Sequence, residues 1–289
     1  MPSSRATFLP IFPTSQKNLP IDATADDDLW ARAIIFAYVL FGALALALAV
    51  SWQNVFDPFV RHDDYPTVFG EAERYYWKTE SEGRWLNYWY IKLPFVLPTQ
   101  VSFLLYLTAW STFAAAFATY TLGPRVRVFP GARFLLAWLI VLCPQAFDIA
   151  QWFNTVMPGI WVMAIYALIA LFGSRGLAIG MLFVFVPLAF SAYNTYPFYL
   201  LALLLCRVDH ERSLGDLVRV VAVFVLAFAL AMLITNSLNW YFHGVFGIEE
   251  AEWRAPNYIE GVGDVLENLK TVTRFWQDVL SIYGMGTHV

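Results

Sequence analysis

The chain has 289 residues, of which 59% are hydrophobic and 14% are charged, and its formal net charge is −4. A soluble domain carries about a quarter charged residues, so this composition excludes an ordinary soluble protein. The negative charge argues against a nucleic acid as partner. The 12 Trp, 15 Tyr and 25 Phe are typical of a protein whose rings lie at a membrane interface, and we expect an integral membrane protein in contact with a lipid bilayer.

The apolar runs predict an all-α bundle of transmembrane helices. Residues 1–29 are polar and predict a disordered cytoplasmic N-terminus. A spanning helix needs about 20 largely apolar residues. The runs that meet or approach this requirement are residues 33–50, 93–124, 134–153, 156–172, 177–206 and 220–236. We therefore assign residues 30–236 to the bundle, with a polar, aromatic-rich loop at 54–92 between the first two spans.

The arginines predict the orientation, because Lys and Arg are retained on the cytoplasmic side. Arg133 follows the second span, and Arg175 and Arg207 flank the run 177–206. All three lie inside only if this run turns near residues 191–197, which gives about seven passes and puts loop 54–92 outside. The alternative is one tilted 30-residue helix, which would reverse the orientation of everything after it.

The C-terminal segment, residues 237–289, then lies outside. Within it, residues 262–283 place apolar side chains at the i, i+3, i+4, i+7 spacing of an amphipathic helix. Such a helix lies on the membrane surface or packs against the bundle. Because the sequence stops a few residues later, we expect the chain to be incomplete and to be inactive or poorly stable alone.

Loop 54–92 carries the residues with the clearest chemical potential. Asp63 and Asp64 are adjacent, and two neighbouring carboxyls resist simultaneous ionisation, so that one pKa rises and suits proton transfer. The basic residues of the loop, which can bind a phosphate, are Arg61, Arg74, Lys78, Arg84 and Lys92. Asp57 is an alternative acid. The opposing interpretation is a solvated interfacial loop whose aromatic residues anchor it in the membrane surface.

Four further residues are candidates for substrate binding. Asp148 lies in an otherwise apolar run, where an acid is costly and often functional, or it simply reaches the water of the headgroup layer. Tyr193, Asn194 and Tyr196 lie at the predicted external turn. They can bind sugar hydroxyls or satisfy the backbone of the turn.

Two short motifs carry a resemblance to a known family. Asp63-Asp64 followed by Glu-Gly-Arg-Trp at 82–85, between the first two spans, resembles the O-antigen glucosyltransferases of the Gtr type, polytopic enzymes of the GT-C class. The segment SAYNTYPFYLLALLL at 191–205 is similar as well. The resemblance extends to about residue 236, whereas family members continue through further spans.

The resemblance implies a GT-C-like fold and sugar transfer outside the bacterial inner membrane. The donor would be a polyprenyl-phosphate sugar, with glucose expected, and the acceptor a cell-surface polysaccharide or glycolipid such as O-antigen. The acid at the start of the loop deprotonates the acceptor hydroxyl, which assigns Asp63 as base and Asp64 as its partner. Arg84 stabilises the leaving phosphate, and Arg74 and Lys92 assist in holding it.

Two other classes of function stay open. A transporter or flippase of lipid-linked sugars needs charges lining a path through the membrane, and this sequence has essentially one, Asp148. A non-catalytic membrane scaffold would leave the charges dispersed over a closed bundle. The sequence predicts no cofactor, and the unspecific spacing of His62, Asp63 and Asp64 leaves open whether a metal helps.

Overall fold

The computed structural model describes residues 25–123, 131–143, 146, 149–207, 213–249, 261–270 and 272–273. Every regular element in these residues is a helix, as the sequence predicts. The helices are α1 Ala25–Val50, α2 Trp52–Phe56, α3 Tyr65–Phe69, α4 Ala72–Tyr75, α5 Trp77–Glu82, α6 Trp85–Ile91, α7 Thr99–Leu122, α8 Ala132–Val141, α9 Phe153–Phe172, α10 Arg175–Ala192, α11 Tyr196–Leu205 and α12 Leu214–His243. Three-residue 3₁₀ helices lie at His62–Asp64 and Ala150–Trp152.

Five segments of the described chain are long and apolar enough to cross a membrane, which confirms the predicted class of protein. They are Leu29–Val50, Thr99–Leu122, Ala150–Phe172, Arg175–Ala192 and Leu214–His243. The five segments contain most of the predicted apolar runs. Two predicted passes are represented by helices of only 10 residues, α8 and α11. Each is about 15 Å long, half the thickness of a hydrocarbon core.

The predicted spans at 134–153 and 177–206 have different outcomes. Residues 177–206 form two helices, α10 and α11, separated by Tyr193–Thr195, and the single 30-residue helix is wrong. Residues 134–153 do not form one helix, because α8 ends at Val141 and residues 150–152 belong to a separate 3₁₀ helix. The sequence places Pro144 next to Cys143, and a proline disfavours the helical conformation of the residue before it.

Helices α7 and α9 form the centre of the bundle. Both helices are rich in buried small residues, which allow close approach of helices in a membrane. The buried alanines are Ala109, Ala114, Ala115, Ala116 and Ala118 of α7 and Ala164, Ala167 and Ala170 of α9. Helices α1 and α12 lie at the periphery, and large apolar side chains such as Phe41 and Leu226 are exposed where lipid would cover them.

The bundle has two chemically different ends. At one end, which we call the arginine end, Arg32, Arg133 and Arg207 surround a small cavity. Arg175 pairs there with Asp216 at the start of α12. At the other end, which we call the loop end, residues 57–98 pack on the termini of α9, α10 and α12. The arginines that predicted the orientation are thus collected on one side of the bundle.

Helix α12 is longer than predicted. It has 30 residues, about 45 Å, and continues to His243 rather than ending near residue 236. Its last two turns therefore extend beyond a core of about 30 Å and reach the loop end. Residues 262–270 and 272–273 are helical within the predicted amphipathic helix. Its apolar residues there, Val265, Leu266, Leu269 and Val272, are exposed.

Candidate functional site

Residues 57–98 fold into a layer of short helices, which we call the loop layer, with a small core of its own. Tyr75 and Trp85 are fully buried in it, together with Tyr88 and Ile91. Trp85 Nε1 donates a hydrogen bond of 2.7 Å to Asn239 Oδ1 of α12. Asn87 Nδ2 donates one of 2.9 Å to the carbonyl of Ala192 at the end of α10. Part of the aromatic load of the loop is therefore structural core and not interfacial anchor.

Asp64 fixes the start of this layer to the central helix α9. It is fully buried, and its two carboxylate oxygens accept the backbone N–H groups of Asn154 at 3.1 Å and Thr155 at 2.8 Å. These N–H groups have no partner within their own helix, because they belong to its first turn. Burial raises the pKa of Asp64 to about 6, although the hydrogen bonds from residues 154 and 155 oppose that change.

Asp63 points the other way and lines a cavity. Its Oδ2 lies 2.7 Å from Lys78 Nζ and its Oδ1 lies 3.1 Å from His62 Nε2. Burial favours the neutral carboxyl, but the hydrogen bond and charge of Lys78 outweigh it and hold the pKa of Asp63 below its ordinary value. One of the two pKa values is raised, as expected, but it belongs to Asp64 rather than to the predicted base Asp63, and burial contributes more to it than the neighbouring carboxylate. The pKa of Asp63 is lowered by Lys78, and the pKa of Asp64 is raised by burial.

The four residues at 82–85 each have a distinct position. Gly83 adopts a left-handed conformation with φ of 70°, and a Cβ atom there would lie 2.8 Å from Thr235 Cγ2. This turn ends α5 and directs Arg84 into the cavity wall. Arg84 Nε pairs with the carboxylate of Glu82, and its guanidinium carbon lies 4.6 Å from the centroid of the Tyr193 ring. Trp85 is the buried anchor of the motif.

The cavity between these groups has a volume of about 260 Å³. Its lining residues come from the loop layer, the start of α9 and the α10–α11 turn: Asp63, Arg84, Ile149, Trp152, Thr155, Val156, Tyr193 and Tyr196. Among the described residues of this lining, Asp63 is the one acid and Arg84 the one cation. The volume lies slightly below the range of about 300–1,000 Å³ typical of ligand pockets, and fits a small polar ring or a phosphate.

A second cavity, also of about 260 Å³, shares Arg84 and Tyr193 with the first. It is lined by Ser81, Glu82, Arg84, Tyr193, Asn194, Thr195 and Ile248. Arg84 and Tyr193 therefore line both pockets. A guanidinium with five N–H donors can serve groups in both.

The predicted site residues separate into three groups. Asp63, Arg84, Tyr193 and Tyr196 meet at the first cavity, and Asn194 lies at the second. Asp64, Arg74 and Lys92 line neither cavity. Arg74 is exposed and pairs with Glu71 at 2.8 Å, and Lys92 is exposed at 4.0 Å from Glu73. Asp148 lies outside the described residues.

Sequence reasoning missed two polar partners of Asp63 as parts of the site. Lys78 was named only as one basic residue of the loop, whereas it is almost fully buried against Asp63. The Oγ1 of Thr155 donates a hydrogen bond of 3.1 Å to the backbone carbonyl of Asp63. The polar pair Asn154-Thr155 just before a long apolar run was the available signal. In the described part of the chain, no group of three His, Cys, Asp or Glu could hold a metal ion.

Compared with family models, with curated proteins and with solved structures, the chain matches none.

Proposed function

We propose that this protein is a membrane glycosyltransferase of the GT-C type, similar to the Gtr O-antigen glucosyltransferases. It transfers a sugar, with glucose expected, from a polyprenyl-phosphate donor to a cell-surface polysaccharide or glycolipid. The proposed setting is the bacterial inner membrane, crossed seven times, with the loop end on the periplasmic side and the arginine end in the cytoplasm. The observation that supports the proposal is that Asp63 and Arg84 face one cavity at an end of the bundle.

The chemistry needs a base for the acceptor and a cation for the departing phosphate. Asp63 is ionised at neutral pH, and it accepts the proton of the acceptor hydroxyl as that oxygen bonds to the anomeric carbon. The bond between the anomeric carbon and the lipid phosphate breaks, and its electron pair leaves with the phosphate. Arg84 stabilises the negative charge that develops there. Lys78 holds Asp63 in position and keeps it ionised in the resting site.

The position of the cavity suits a lipid-linked donor. Its walls include Trp152 and Tyr193, whose rings offer flat apolar surfaces to a sugar. Val156 and Tyr196 continue the lining into the first turns of α9 and α11, which are membrane helices in this proposal. A donor whose phosphate lies at headgroup level therefore reaches Arg84 while its polyprenyl chain remains in lipid.

The test is transfer of radiolabelled sugar from polyprenyl-phosphate donors by membranes that contain the protein, with acceptor lipopolysaccharide present. Asp63→Asn is expected to lower turnover by about 10²–10⁴-fold, the usual contribution of a general base. Arg84→Lys is expected to weaken donor use as well, because Lys retains the charge but loses the bidentate geometry.

Two control variants come from the same loop. Asp57→Asn and Glu73→Gln remove acids that do not line the cavity, and transfer should remain within about twofold of wild type, as for ordinary surface substitutions. If Asp63→Asn retains normal transfer while Asp57→Asn abolishes it, the base is misassigned. If wild-type membranes transfer no sugar from any polyprenyl-phosphate donor, the proposal fails, and a scaffold or flippase becomes the better explanation.

A further inference from the structure

The second cavity at the loop end has no occupant in the chemistry proposed so far. Its volume is about 260 Å³, like that of the first, and the two cavities share Arg84 and Tyr193. The first cavity takes Trp152 and Val156 from the spanning segment Ala150–Phe172. None of the described residues that line the second cavity belongs to a spanning segment. A lipid-linked ligand therefore suits the first cavity, and a ligand that arrives from water suits the second.

Hydrogen bonds fix the part of the second cavity wall that follows α12. Ile248 lines this cavity and comes shortly after the end of the helix. On one side of it, Asn239 Nδ2 donates a hydrogen bond of 2.6 Å to the carbonyl of Gly247. On the other side, the backbone N–H of Glu249 donates one of 3.2 Å to the carbonyl of Glu80. The wall is therefore attached to both α12 and α5.

The uncharged polar groups of the second cavity fit the hydroxyl groups of a sugar. Asn194 and Thr195 are exposed to water, and their side chains can both donate and accept hydrogen bonds. Ser81 Oγ donates to the carbonyl of Trp77 at 3.1 Å, which leaves its lone pairs to accept from a ligand. The ring of Tyr193 adds an apolar surface for the carbon atoms of a sugar ring. A few placed polar groups beside an aromatic ring are typical of a small-molecule site.

The charges of the second cavity favour a neutral ligand over a phosphate. Among its described lining residues, the charged ones are Glu82 and Arg84, and they pair with each other. Their side chains are only 5% and 10% exposed, so a phosphate would lie beside a nearly buried carboxylate of the same sign. A sugar hydroxyl can instead donate to a Glu82 oxygen and accept from Arg84.

We propose that the second cavity is the acceptor subsite and binds one neutral sugar unit of the polysaccharide acceptor. This inference rests on the sugar transfer proposed above. Because Arg84 and Tyr193 line both cavities, an acceptor held in the second can extend its reactive hydroxyl past them to Asp63 in the first. Asn194 and Ser81 then determine specificity for the acceptor, since they line the second cavity and not the first.

The experiment measures initial rates of sugar transfer from polyprenyl-phosphate glucose to lipopolysaccharide, with one substrate varied while the other is saturating. Asn194→Ala and Ser81→Ala each remove hydrogen bonds to the acceptor, and each should raise the KM for lipopolysaccharide about fivefold. The double variant should raise it about 25-fold if the two effects are independent. The KM for the donor should stay within about twofold of wild type, because neither residue lines the first cavity.

The matched control is Asn54→Ala, which changes an exposed asparagine of α2 that lines neither cavity and should leave both KM values unchanged. Asn194 is exposed and has no positive φ, so alanine there should preserve the fold. If Asn194→Ala and Ser81→Ala raise the KM for the donor instead, or if neither changes the KM for lipopolysaccharide, the acceptor subsite is refuted while the sugar transfer stands. If wild-type membranes transfer no sugar, the proposed function fails and the acceptor subsite fails with it.

Discussion

The ion pair between Asp63 and Lys78 should be measurable as a coupling between the two residues. The Lys78 side chain is 5% exposed and the Asp63 side chain 27%, and their charged atoms are 2.7 Å apart. Removing one partner of a fully buried pair costs about 3–5 kcal/mol, because the other charge stays buried without compensation. Asp63 retains some contact with water, and the carboxylate of Glu82 also favours the charged lysine. We therefore expect the loss of the Asp63 carboxylate to cost about 2 kcal/mol of stability.

The double-mutant cycle follows from this magnitude. Asp63→Asn should lower the free energy of unfolding by about 2 kcal/mol, and Lys78→Met by about 1 kcal/mol, since Asp63 keeps His62 at 3.1 Å and partial solvent access. The double variant should be more stable than the sum predicts by about 1.5–2 kcal/mol, because it leaves neither charge uncompensated.

The assay is reversible unfolding in mixed micelles, followed by tryptophan fluorescence. Trp85, buried in the loop layer, is one of the 12 Trp that contribute to this signal. The matched control is the exposed pair Glu73 and Lys92, whose charged atoms are 4.0 Å apart and whose cycle should show no coupling above error. If the effects of Asp63→Asn and Lys78→Met add within about 0.5 kcal/mol, the pair does not hold the site and the reasoning is refuted.

Three further predictions concern the loop layer. The folded pKa of Asp64, about 6, is above its unfolded value of 3.8, so its contribution to stability is complete below the unfolded pKa and is lost as pH rises through 6. Acidification from about pH 7.5 to pH 5 should therefore add roughly 1 kcal/mol to the free energy of unfolding. Asp64→Asn should remove that increment from the pH–stability profile. Gly83→Ala should destabilise by about 1–3 kcal/mol in thermal unfolding, because the left-handed backbone and the close Thr235 both oppose a Cβ atom, and unchanged stability would contradict the described turn. Trp85→Phe should cost about 1–3 kcal/mol in thermal unfolding by leaving Asn239 Oδ1 unpaired, and an unchanged free energy of unfolding would contradict the described hydrogen bond.

How well the sequence predicted each helix depended on whether nearby residues marked its end. The break near Asn194 was predictable because the arginines on both sides of the run require two passes for one orientation. The early end of α8 had a local signal in Pro144, which the apolarity of the surrounding run obscured. The extension of α12 to His243 was missed because polar residues such as Asn236 and Asn239 suggest the end of a span, whereas one of them is buried by the loop layer.

The site was predictable only where its residues share one segment. Asp63 and Arg84 could be chosen because both lie in a short polar loop between two spans. The roles of Asp64 and Thr155 could not, because Thr155 lies 91 positions from Asp64 along the chain and the contact depends on how the loop docks on α9. Adjacent acids look equivalent in a sequence. One of them turns towards helix N–H groups and the other towards a cavity, which requires the folded backbone.

Asn239 has a consequence for biogenesis. This single buried side chain joins Trp85 Nε1, the carbonyl of Glu80 and the carbonyl of Gly247. The loop leaves the ribosome more than 150 residues before the asparagine that secures it, so most of the bundle must be inserted first. Until α12 is inserted, Trp85 and the surface of the loop layer that packs on α12 have no partner from that helix. The cavity wall that contains Arg84 is therefore completed late, and the cavity stays open during most of the synthesis of the chain.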